Sequence, residues 1–354
     1  LTSHPEAART RQVCTNEIRY SGLSMSDQPH SYPGIYLSTT DKALPEWFSN
    51  DFKKYANFQP MPKGGRGILY ACDDLNLGRK VALKTLPPGV KHTAVERKRL
   101  LREARVTAQL AHPNTIPVYE IGITDEEVVY FTMKKVEGET LYDILVRIAR
   151  GDTSTVERYP LVQRIEILLQ ALQALWYAHT HGVIHRDVKP ENILVGIFGE
   201  VYLMDWGVAK VWGMPRDEAE EAIEADLEKP EPERITLAGQ RPGTPLYMPP
   251  EQIRGTPPVD ERADIFSFGV MLYECLVQQE PFRGHTIEET FKKILHYDPP
   301  PPSSFCETLK RTPILDAICT RALQKKSQDR YQSVGQLIDD LKRGQKELVV
   351  AGQD

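Results

Sequence analysis

The chain has 354 residues, with 44 lysines and arginines against 49 aspartates and glutamates, and therefore a formal net charge of −5. Charged residues make up 26% and apolar residues 40% of the sequence, the ordinary balance of a globular protein that buries a core without disulfides or metals. The near-neutral charge, with no basic tract, argues against nucleic acid as a partner. No apolar run approaches the roughly 18 residues of a membrane-spanning helix. The five cysteines never form a CxxC pair, so we expect reduced thiols and an intracellular location.

The hydrophobic pattern divides the chain into three parts. Residues 1–50 are polar without a sustained period, which predicts a tail that is partly disordered or docks on the domain. Short apolar runs between turn residues predict five strands, and a helical period predicts one helix between the third and fourth of them. After Gly138 the pattern is mostly helical. The predicted strands cover 55–58, 68–72, 80–86, 118–123 and 128–135, and the predicted helices cover 96–111, 161–179, 264–278 and 313–323. Strands followed by helices favour an α+β arrangement in two lobes.

One segment holds most of the acidity. Residues 212–235 contain nine acidic and three basic residues, a net −6, so the rest of the chain carries +1. Such a charge run is typical of a solvated loop.

The densest group of chemically capable side chains lies in residues 185–192, which read HRDVKPEN. Asp187, Lys189 and Asn192 bring a carboxylate, a cation and an amide to one loop. These groups can serve as a base, a phosphate ligand and a metal ligand. The two histidines shortly before them, His179 and His181, are expected to end a helix near its negative pole.

Three further residues belong with this loop. Asp205 follows a strand-like run and is followed by Trp206 and Gly207. Upstream, Lys84 ends the predicted third strand in the run VALK, and Glu103 lies on the predicted helix that follows. Taken alone, Lys84 and Glu103 would be an ordinary surface ion pair.

These motifs, in this order and at these spacings, resemble the Hanks-type serine/threonine protein kinases, especially bacterial members, over about residues 55–341. The resemblance implies an α+β, protein-kinase-like two-lobed fold. Its N-lobe (about 51–137) would be a small antiparallel β-sheet with one helix, and its C-lobe (about 138–345) would be larger and mostly helical. The acidic segment 212–235 would then be an insertion in the activation loop, and 346–354 a C-terminal tail.

The resemblance also implies the activity and its cofactors. ATP would supply the phosphoryl group, Mg²⁺ or Mn²⁺ would bind the triphosphate, and proteins with Ser/Thr acceptors would be the substrates. Transient self-association would serve autophosphorylation. The location would be cytoplasmic, or the chain would be the cytoplasmic domain of a longer protein.

By the same resemblance, six residues carry the catalytic roles. Asp187 would orient the attacking hydroxyl, and Lys189 would contact the transferred phosphoryl group. Asn192 and Asp205 would hold the metal, while Lys84 would bind the α/β-phosphates and pair with Glu103.

The nucleotide-binding residues follow from the same comparison. The glycine-rich loop reads PKGGRG over residues 62–67, so Pro62 replaces the first glycine of the family pattern. Ten residues are expected to bind ATP: Gly64, Gly65, Gly67, Leu69, Ala82, Lys84, Met133, Lys134, Val136 and Leu194. The backbone of Lys134 and Val136 would bind the adenine edge. Since side chains are not used for these contacts, the unusual paired lysines at 134 and 135 should lower the affinity for ATP only slightly.

The segment from Asp205 to Glu251 resembles an activation loop, with Pro249 replacing the usual alanine. Arg186, before the catalytic aspartate, is typical of kinases switched by loop phosphorylation, and Thr236 is the best-placed acceptor. Thr244 would hydrogen-bond Asp187 and Lys189. We expect Glu251 to pair with Arg330, and Asp264 to brace the backbone of the catalytic loop.

Two alternatives share this fold. A pseudokinase acting as a nucleotide-binding scaffold is suggested by Pro62, Pro249 and Trp206, although Trp206 can fill the pocket of the usual phenylalanine. A degenerate kinase usually lacks at least one of five positions, all of which are present and favour an active kinase: Lys84, Glu103, Asp187, Asn192 and Asp205. A small-molecule phosphotransferase ranks last, because it would need neither Lys189 nor the segment 243–251.

Overall fold

The computed structural model describes residues 50–61, 67–87, 89, 92–211 and 245–351. Several predictions fall outside these residues. They concern the tail over 1–49, the acidic segment 212–235, and the residues Gly64, Gly65, Thr236 and Thr244.

The N-terminal part of the fold is an antiparallel sheet of five strands in the order β1-β2-β3-β5-β4. The strands are β1 Tyr55–Pro60, β2 Ile68–Asp74, β3 Arg79–Thr85, β4 Val118–Ile123 and β5 Val129–Lys134. The central strand β3 is buried from Val81 to Thr85, a stretch that holds its three apolar residues, Val81, Ala82 and Leu83, and Lys84 of the predicted site.

Helix α1, Ala94–Gln109, packs on one face of this sheet. It begins with a capping box, in which Thr93 and Glu96 satisfy each other's backbone N–H groups. Leu100 and Ala104 of α1 form a small core with Leu86 and Phe131. Val81 and Leu83 belong to a second core on the opposite face, because alternate residues of a strand point to opposite faces. Lys84 and Ala82 are therefore on the α1 face.

The rest of the described chain is mainly helical. Its helices are α2 Leu141–Ala149, α3 Thr153–Arg158, α4 Leu161–Thr180, α5 Pro250–Arg254, α6 Arg262–Val277, α7 Ile287–His296, α8 Glu307–Lys310, α9 Pro313–Ala322 and α10 Val334–Ala351. Helix α6 is buried along almost its whole length, and α4 packs against both α6 and α10. One large apolar core joins these helices.

Two small sheets position the loops between the lobes. They consist of the strands β6 Gly138–Thr140, β7 Val183–Ile184, β8 Ile193–Gly196, β9 Val201–Leu203 and β10 Lys210–Val211. The strands β6, β8 and β9 form one antiparallel sheet, and β7 pairs with β10. The HRDVKPEN loop therefore lies between β7 and β8, and Asp205 follows β9.

The predicted α+β two-lobed fold is correct. The five N-lobe strands and the four predicted helices are present, with ends shifted by a few residues. Helix α10 continues to Ala351, past the predicted domain end at 345, because buried Leu348 extends its apolar stripe. Among the described residues, no helix combines the length and the apolarity needed to span a membrane.

Candidate active site

Lys84 and Glu103 form a close ion pair between β3 and α1. The Lys84 Nζ donates to both carboxylate oxygens of Glu103, at 2.5 and 2.7 Å. Both side chains are about nine-tenths buried, with 10% and 12% of their surface exposed. Burial alone would lower the pKa of Lys84, but the negative charges of Glu103 and Asp205 raise it above its ordinary value. Lys84 is therefore held as a cation inside the site.

Asp205 is a buried carboxylate beside this pair. Its backbone has a φ of 64°, in the left-handed region that non-glycine residues rarely adopt. The Gly207 N–H donates to Asp205 Oδ1 at 3.4 Å. Burial alone would raise the pKa of Asp205, but the charges of Lys84 and Lys189 hold it below its ordinary value. Asp205 is therefore ionised at neutral pH.

The catalytic-loop candidates surround Asp187. Asn192 Nδ2 donates to the Asp187 carbonyl oxygen at 2.7 Å and to its Oδ2 at 3.1 Å. Lys189 Nζ lies 2.9 Å from the same Oδ2. The two bonds of Nδ2 fix the Asn192 amide and leave its Oδ1 as the free acceptor atom of that side chain. Asp187 itself is about one-third exposed, so a substrate hydroxyl can reach it.

The backbone of this loop is anchored from α6, as predicted. The Asp264 carboxylate accepts the backbone N–H groups of His185 and Arg186, both at 2.8 Å. It also accepts from His179 Nε2 at 2.8 Å. The sequence reasoning placed His179 only at a helix end and missed this bond. No local pattern links two residues that are 85 positions apart.

The rings of His185 and Trp206 are in contact at a tilt of 55°. Their ring centroids are 4.5 Å apart, and Trp206 is completely buried in the main core. The His185 Nε2–H donates to the Met204 carbonyl at 2.9 Å, so Nδ1 accepts the Asp187 N–H at 3.3 Å. The substitution of tryptophan for the usual phenylalanine is therefore accommodated by packing.

Arg186 lies two residues after β7 and contacts a residue two positions before β10. Its Nε donates to the Val208 carbonyl at 2.8 Å, and its φ is 64°. This bond ties the catalytic loop to the residues that lead from Asp205 into β10. Arg102 of α1 donates to the neighbouring Ala209 carbonyl at 3.4 Å.

The described nucleotide-binding candidates lie on or next to β2, β3, β5 and β8. In the strand register Leu69 is opposite Lys84, and Ala82 is opposite Met133. Directly opposed residues share a face, so all four lie on the face that carries the ion pair. Lys134 and Val136 follow Met133 at the end of β5, and Leu194 lies on β8. These candidates occupy both lobes.

The unusual lysine at position 134 has a partner in the C-lobe. Its Nζ donates to the Tyr202 hydroxyl at 2.6 Å and lies 5.0 Å from the ring centroid. Its backbone N–H is bonded to the Pro117 carbonyl at 3.0 Å. The Lys134 side chain thus links the end of β5, where the chain passes between the lobes, to β9. The sequence did not indicate this contact.

Gly67 has no room for a side chain. A Cβ atom there would lie 3.0 Å from the Thr85 carbonyl oxygen and 3.4 Å from Lys84 Cε. We expect Gly67→Ala to push back the Thr85 carbonyl beside Lys84 and to raise the KM for ATP about fivefold, a cost of about 1 kcal/mol. Steady-state kinetics with varied ATP measure this effect. Gly335→Ala is the control, since its Cβ would make only ordinary contacts. An unchanged KM would contradict the steric argument.

Arg330 and Glu251 form a buried ion pair in the C-lobe, as predicted. Arg330 donates two hydrogen bonds to Glu251, both 2.7 Å long, and both side chains are almost fully buried. Arg330 also donates to three backbone carbonyls, those of Arg262, Gln324 and Lys325. The pair therefore fixes the start of α5 to the segment before α10.

Tyr247 and Glu274 form a second buried contact. The Tyr247 hydroxyl donates to Glu274 Oε2 at 2.5 Å. Burial raises the pKa of Glu274 to about 8, although the Tyr247 hydrogen bond opposes the shift. The folded state therefore binds a proton here that the unfolded chain releases above about pH 4.5.

This proton makes stability depend on pH. Because the unfolded state binds fewer protons, stability should fall as pH rises from about 5 through about 8. We expect the melting temperature of the wild type to drop between about pH 5 and about pH 8, and we expect Glu274→Gln to make this drop smaller by several degrees. Calorimetry at the two pH values measures both melting temperatures. If the melting temperature of Glu274→Gln depended on pH as strongly as that of the wild type, groups other than Glu274 would be responsible for the pH dependence.

Comparison with known proteins identifies the family to which this chain belongs. The protein kinase domain family model matches residues 55–339. Serine/threonine-protein kinase PknD of Protochlamydia amoebophila is 32% identical over 344 residues, which cover 96% of this chain and 34% of that relative. The PknD proteins of Chlamydia caviae and Chlamydia pneumoniae are each 34% identical, over 82% of this chain and 31% of their own length. The chain thus spans about a third of the length of these curated relatives. It belongs to the protein kinase domain family.

Proposed function

We propose that this chain transfers the γ-phosphoryl group of ATP to Ser and Thr hydroxyls of proteins. The observation that carries the proposal is the arrangement around Asp187, whose Oδ2 is contacted by Asn192 at 3.1 Å and by Lys189 at 2.9 Å. A partly exposed carboxylate held by an amide and a cation can take the proton of an incoming hydroxyl.

Each side chain has one role in this reaction. Asp187 orients the acceptor hydroxyl and receives its proton. Lys189 meets the negative charge that develops on the transferred phosphoryl group. Lys84, held by Glu103 at 2.5 Å, binds the α/β-phosphates. Because Lys84 and Glu103 are already paired, little reorganisation is needed when ATP binds.

The metal site consists of Asn192 and Asp205. An ionised carboxylate and a free amide oxygen are hard oxygen donors, which suit Mg²⁺, or Mn²⁺ as a substitute. When bound, the metal neutralises charge on the triphosphate. The low pKa of Asp205 keeps the carboxylate ready to bind it. The hydrogen bonds from Asn192 Nδ2 to Asp187 keep the amide oxygen free.

The nucleotide base is proposed to bind between Leu69, Ala82 and Leu194, with Met133 behind it. The backbone of Lys134 and Val136 would hydrogen-bond its edge. Gly64, Gly65 and Gly67 would let backbone N–H groups approach the phosphates.

Intact mass after incubation with ATP and Mg²⁺ tests catalysis by this site. We expect the wild type to gain one or more phosphates and Asp205→Asn to gain none, since that variant loses a metal-binding charge. Omission of Mg²⁺ should abolish the gain. An equal gain in both proteins would mean that a contaminating kinase is responsible. If neither gains mass while ATP raises the melting temperature, the pseudokinase alternative is favoured.

Regulation is proposed to act through the activation loop. Phosphorylation of Thr236 would add about −1.5 to −2 charge near Arg186, and transient pairing of two copies would allow one to phosphorylate the other. Thr244 would contact Asp187 and Lys189. Phosphopeptide mapping of active enzyme should find Thr236 modified. Full activity with an unmodified Thr236 would contradict this.

The proposed kinase domain covers about 51–345, with its lobes meeting near 137/138 and with tails at 1–50 and 346–354. We infer a cytoplasmic location, because ATP and reduced thiols are found there.

A further inference from the structure

The indole of Trp206 makes a hydrogen bond for which the phenylalanine usual at this position has no donor. Its Nε1–H donates to the Leu203 carbonyl oxygen at 3.4 Å, three residues earlier in the chain. Trp206 is completely buried, and a buried N–H group nearly always has a partner because it is costly to leave unpaired. This bond joins the residues on the two sides of Met204 and Asp205.

Asp205 has a backbone conformation that needs such support. Its φ of 64° lies in the left-handed region, where the Cβ atom approaches the following carbonyl oxygen too closely. A residue remains in this region only where the surrounding contacts hold it there. The bond between Trp206 and Leu203 spans Asp205, and it therefore restrains the backbone that carries this carboxylate.

Three further hydrogen bonds hold the same stretch of chain. The Met204 N–H donates to the Asn192 carbonyl at 2.8 Å, and the Met204 carbonyl accepts from His185 at 2.9 Å. The Gly207 N–H donates to Asp205 Oδ1 at 3.4 Å. Because Asn192 and Asp205 are the two proposed metal-binding residues, the bond from Met204 to Asn192 connects the backbones of both.

We propose that Trp206 is a positioning residue, whose N–H bond to Leu203 keeps Asp205 in the conformation that binds the metal. The restraint on the Asp205 backbone does not depend on the proposed function, whereas the effect on metal binding rests on it. The other three bonds do not use the Trp206 side chain, so the indole N–H is a restraint in addition to them. Without it, a smaller fraction of molecules would hold Asp205 ready, and the apparent metal affinity would fall with that fraction.

Hydrogen exchange of single amides, measured by fragmentation mass spectrometry, tests the restraint without metal or nucleotide. In Trp206→Phe we expect the amides of Met204 and Gly207 to exchange at least about fivefold faster than in wild type, the effect of one lost hydrogen bond. The amide of Leu172, in the buried core of α4, should be affected less. Unchanged exchange at Met204 and Gly207, or an acceleration at Leu172 as large as theirs, would overturn the proposal.

A second replacement separates the hydrogen bond from the size of the ring. Benzothienylalanine at position 206 keeps the two-ring shape of tryptophan, but a sulfur atom stands where tryptophan has its N–H. It should accelerate exchange at Met204 and Gly207 as Trp206→Phe does, and it takes the place of that variant if Trp206→Phe does not fold. If this protein exchanges like wild type, the bond does not hold Asp205 and the proposal is wrong. Trp176→Phe, the same change at a tryptophan that is 48% exposed, is the control and should match wild type.

Metal binding is measured separately, by titration with Mn²⁺ in the presence of a non-hydrolysable ATP analogue. The electron paramagnetic resonance signal of the hydrated ion reports how much Mn²⁺ stays free. We expect both replacements of Trp206 to bind Mn²⁺ at least about fivefold more weakly than wild type, and Trp176→Phe to bind it equally well. A role confined to folding would lower the melting temperature and leave this affinity unchanged.

The outcomes distinguish the positioning role from the proposed function. Wild-type affinity for Mn²⁺ in both replacements would overturn the proposal, because Asp205 would then be held without the indole bond. If the wild type binds no Mn²⁺ while exchange at Met204 and Gly207 changes as expected, the metal site of the proposed function fails and the restraint on Asp205 stands.

Discussion

Replacing Asp187 with asparagine is expected to lower kcat by about 10²–10⁴-fold, the usual contribution of a positioned general base. The amide has no negative charge to receive the hydroxyl proton, and its contact with Lys189, 2.9 Å in the wild type, loses its ionic character. ATP should still bind, because Lys84, Glu103 and Asp205 are untouched. Transfer from labelled ATP to an acceptor protein gives kcat, and calorimetric titration gives the affinity for ATP.

Asp125→Asn is the control for this substitution, because Asp125 lies exposed in the turn between β4 and β5. It should retain wild-type kcat. If Asp187→Asn remains within about tenfold of wild type, Asp187 does not act as the base. If ATP affinity collapses with kcat, the variant has disturbed the nucleotide site instead.

Replacing Arg330 with leucine is expected to destabilise the C-lobe by about 3–5 kcal/mol, because Glu251 would remain buried without its partner. Arg330 makes two 2.7 Å bonds to Glu251 and three more to backbone carbonyls. For a domain of this size the loss corresponds to a melting temperature lower by on the order of 10 °C. Calorimetry and denaturant titration measure it.

Arg343→Leu provides the matched comparison. Arg343 pairs with Asp340 on the exposed side of α10, so its loss should leave the melting temperature nearly unchanged. The double variant Glu251→Leu/Arg330→Leu should recover part of the stability, because it leaves no unpaired buried charge. An Arg330→Leu variant as stable as Arg343→Leu would show that the buried pair contributes little.

The sequence predicted the parts of the fold that have a clear local period. Strands β1 to β5 were found as short apolar runs between turn residues, and helix α1 was found by the helical recurrence of its apolar residues. The short strands β6 to β10 have only two to four residues each, too few for a period. Helix α10 was missed although its buried Val334, Leu337, Ile338 and Leu341 follow helical spacing.

Contacts between distant positions explain most of what could not be predicted in the site. Family spacing indicated Lys84, Glu103, Asp187 and Asp205 as a set, but it did not indicate the His179–Asp264 bond. The contacts of Tyr247 with Glu274 and of Lys134 with Tyr202 were missed for the same reason: each joins residues that only the packing of α4, α6 and β9 brings together.

Transfer of label from γ-labelled ATP to a generic basic acceptor protein, followed by separation of the phosphoamino acids, tests the central claim most directly. The proposed function predicts phosphoserine and phosphothreonine with the wild type in Mg²⁺. Asp205→Asn should yield none, because it loses the proposed metal-binding carboxylate. Absence of label from the acceptor, while ATP still raises the melting temperature, would contradict the claim and indicate a pseudokinase. Label found only on tyrosine would contradict the Ser/Thr assignment.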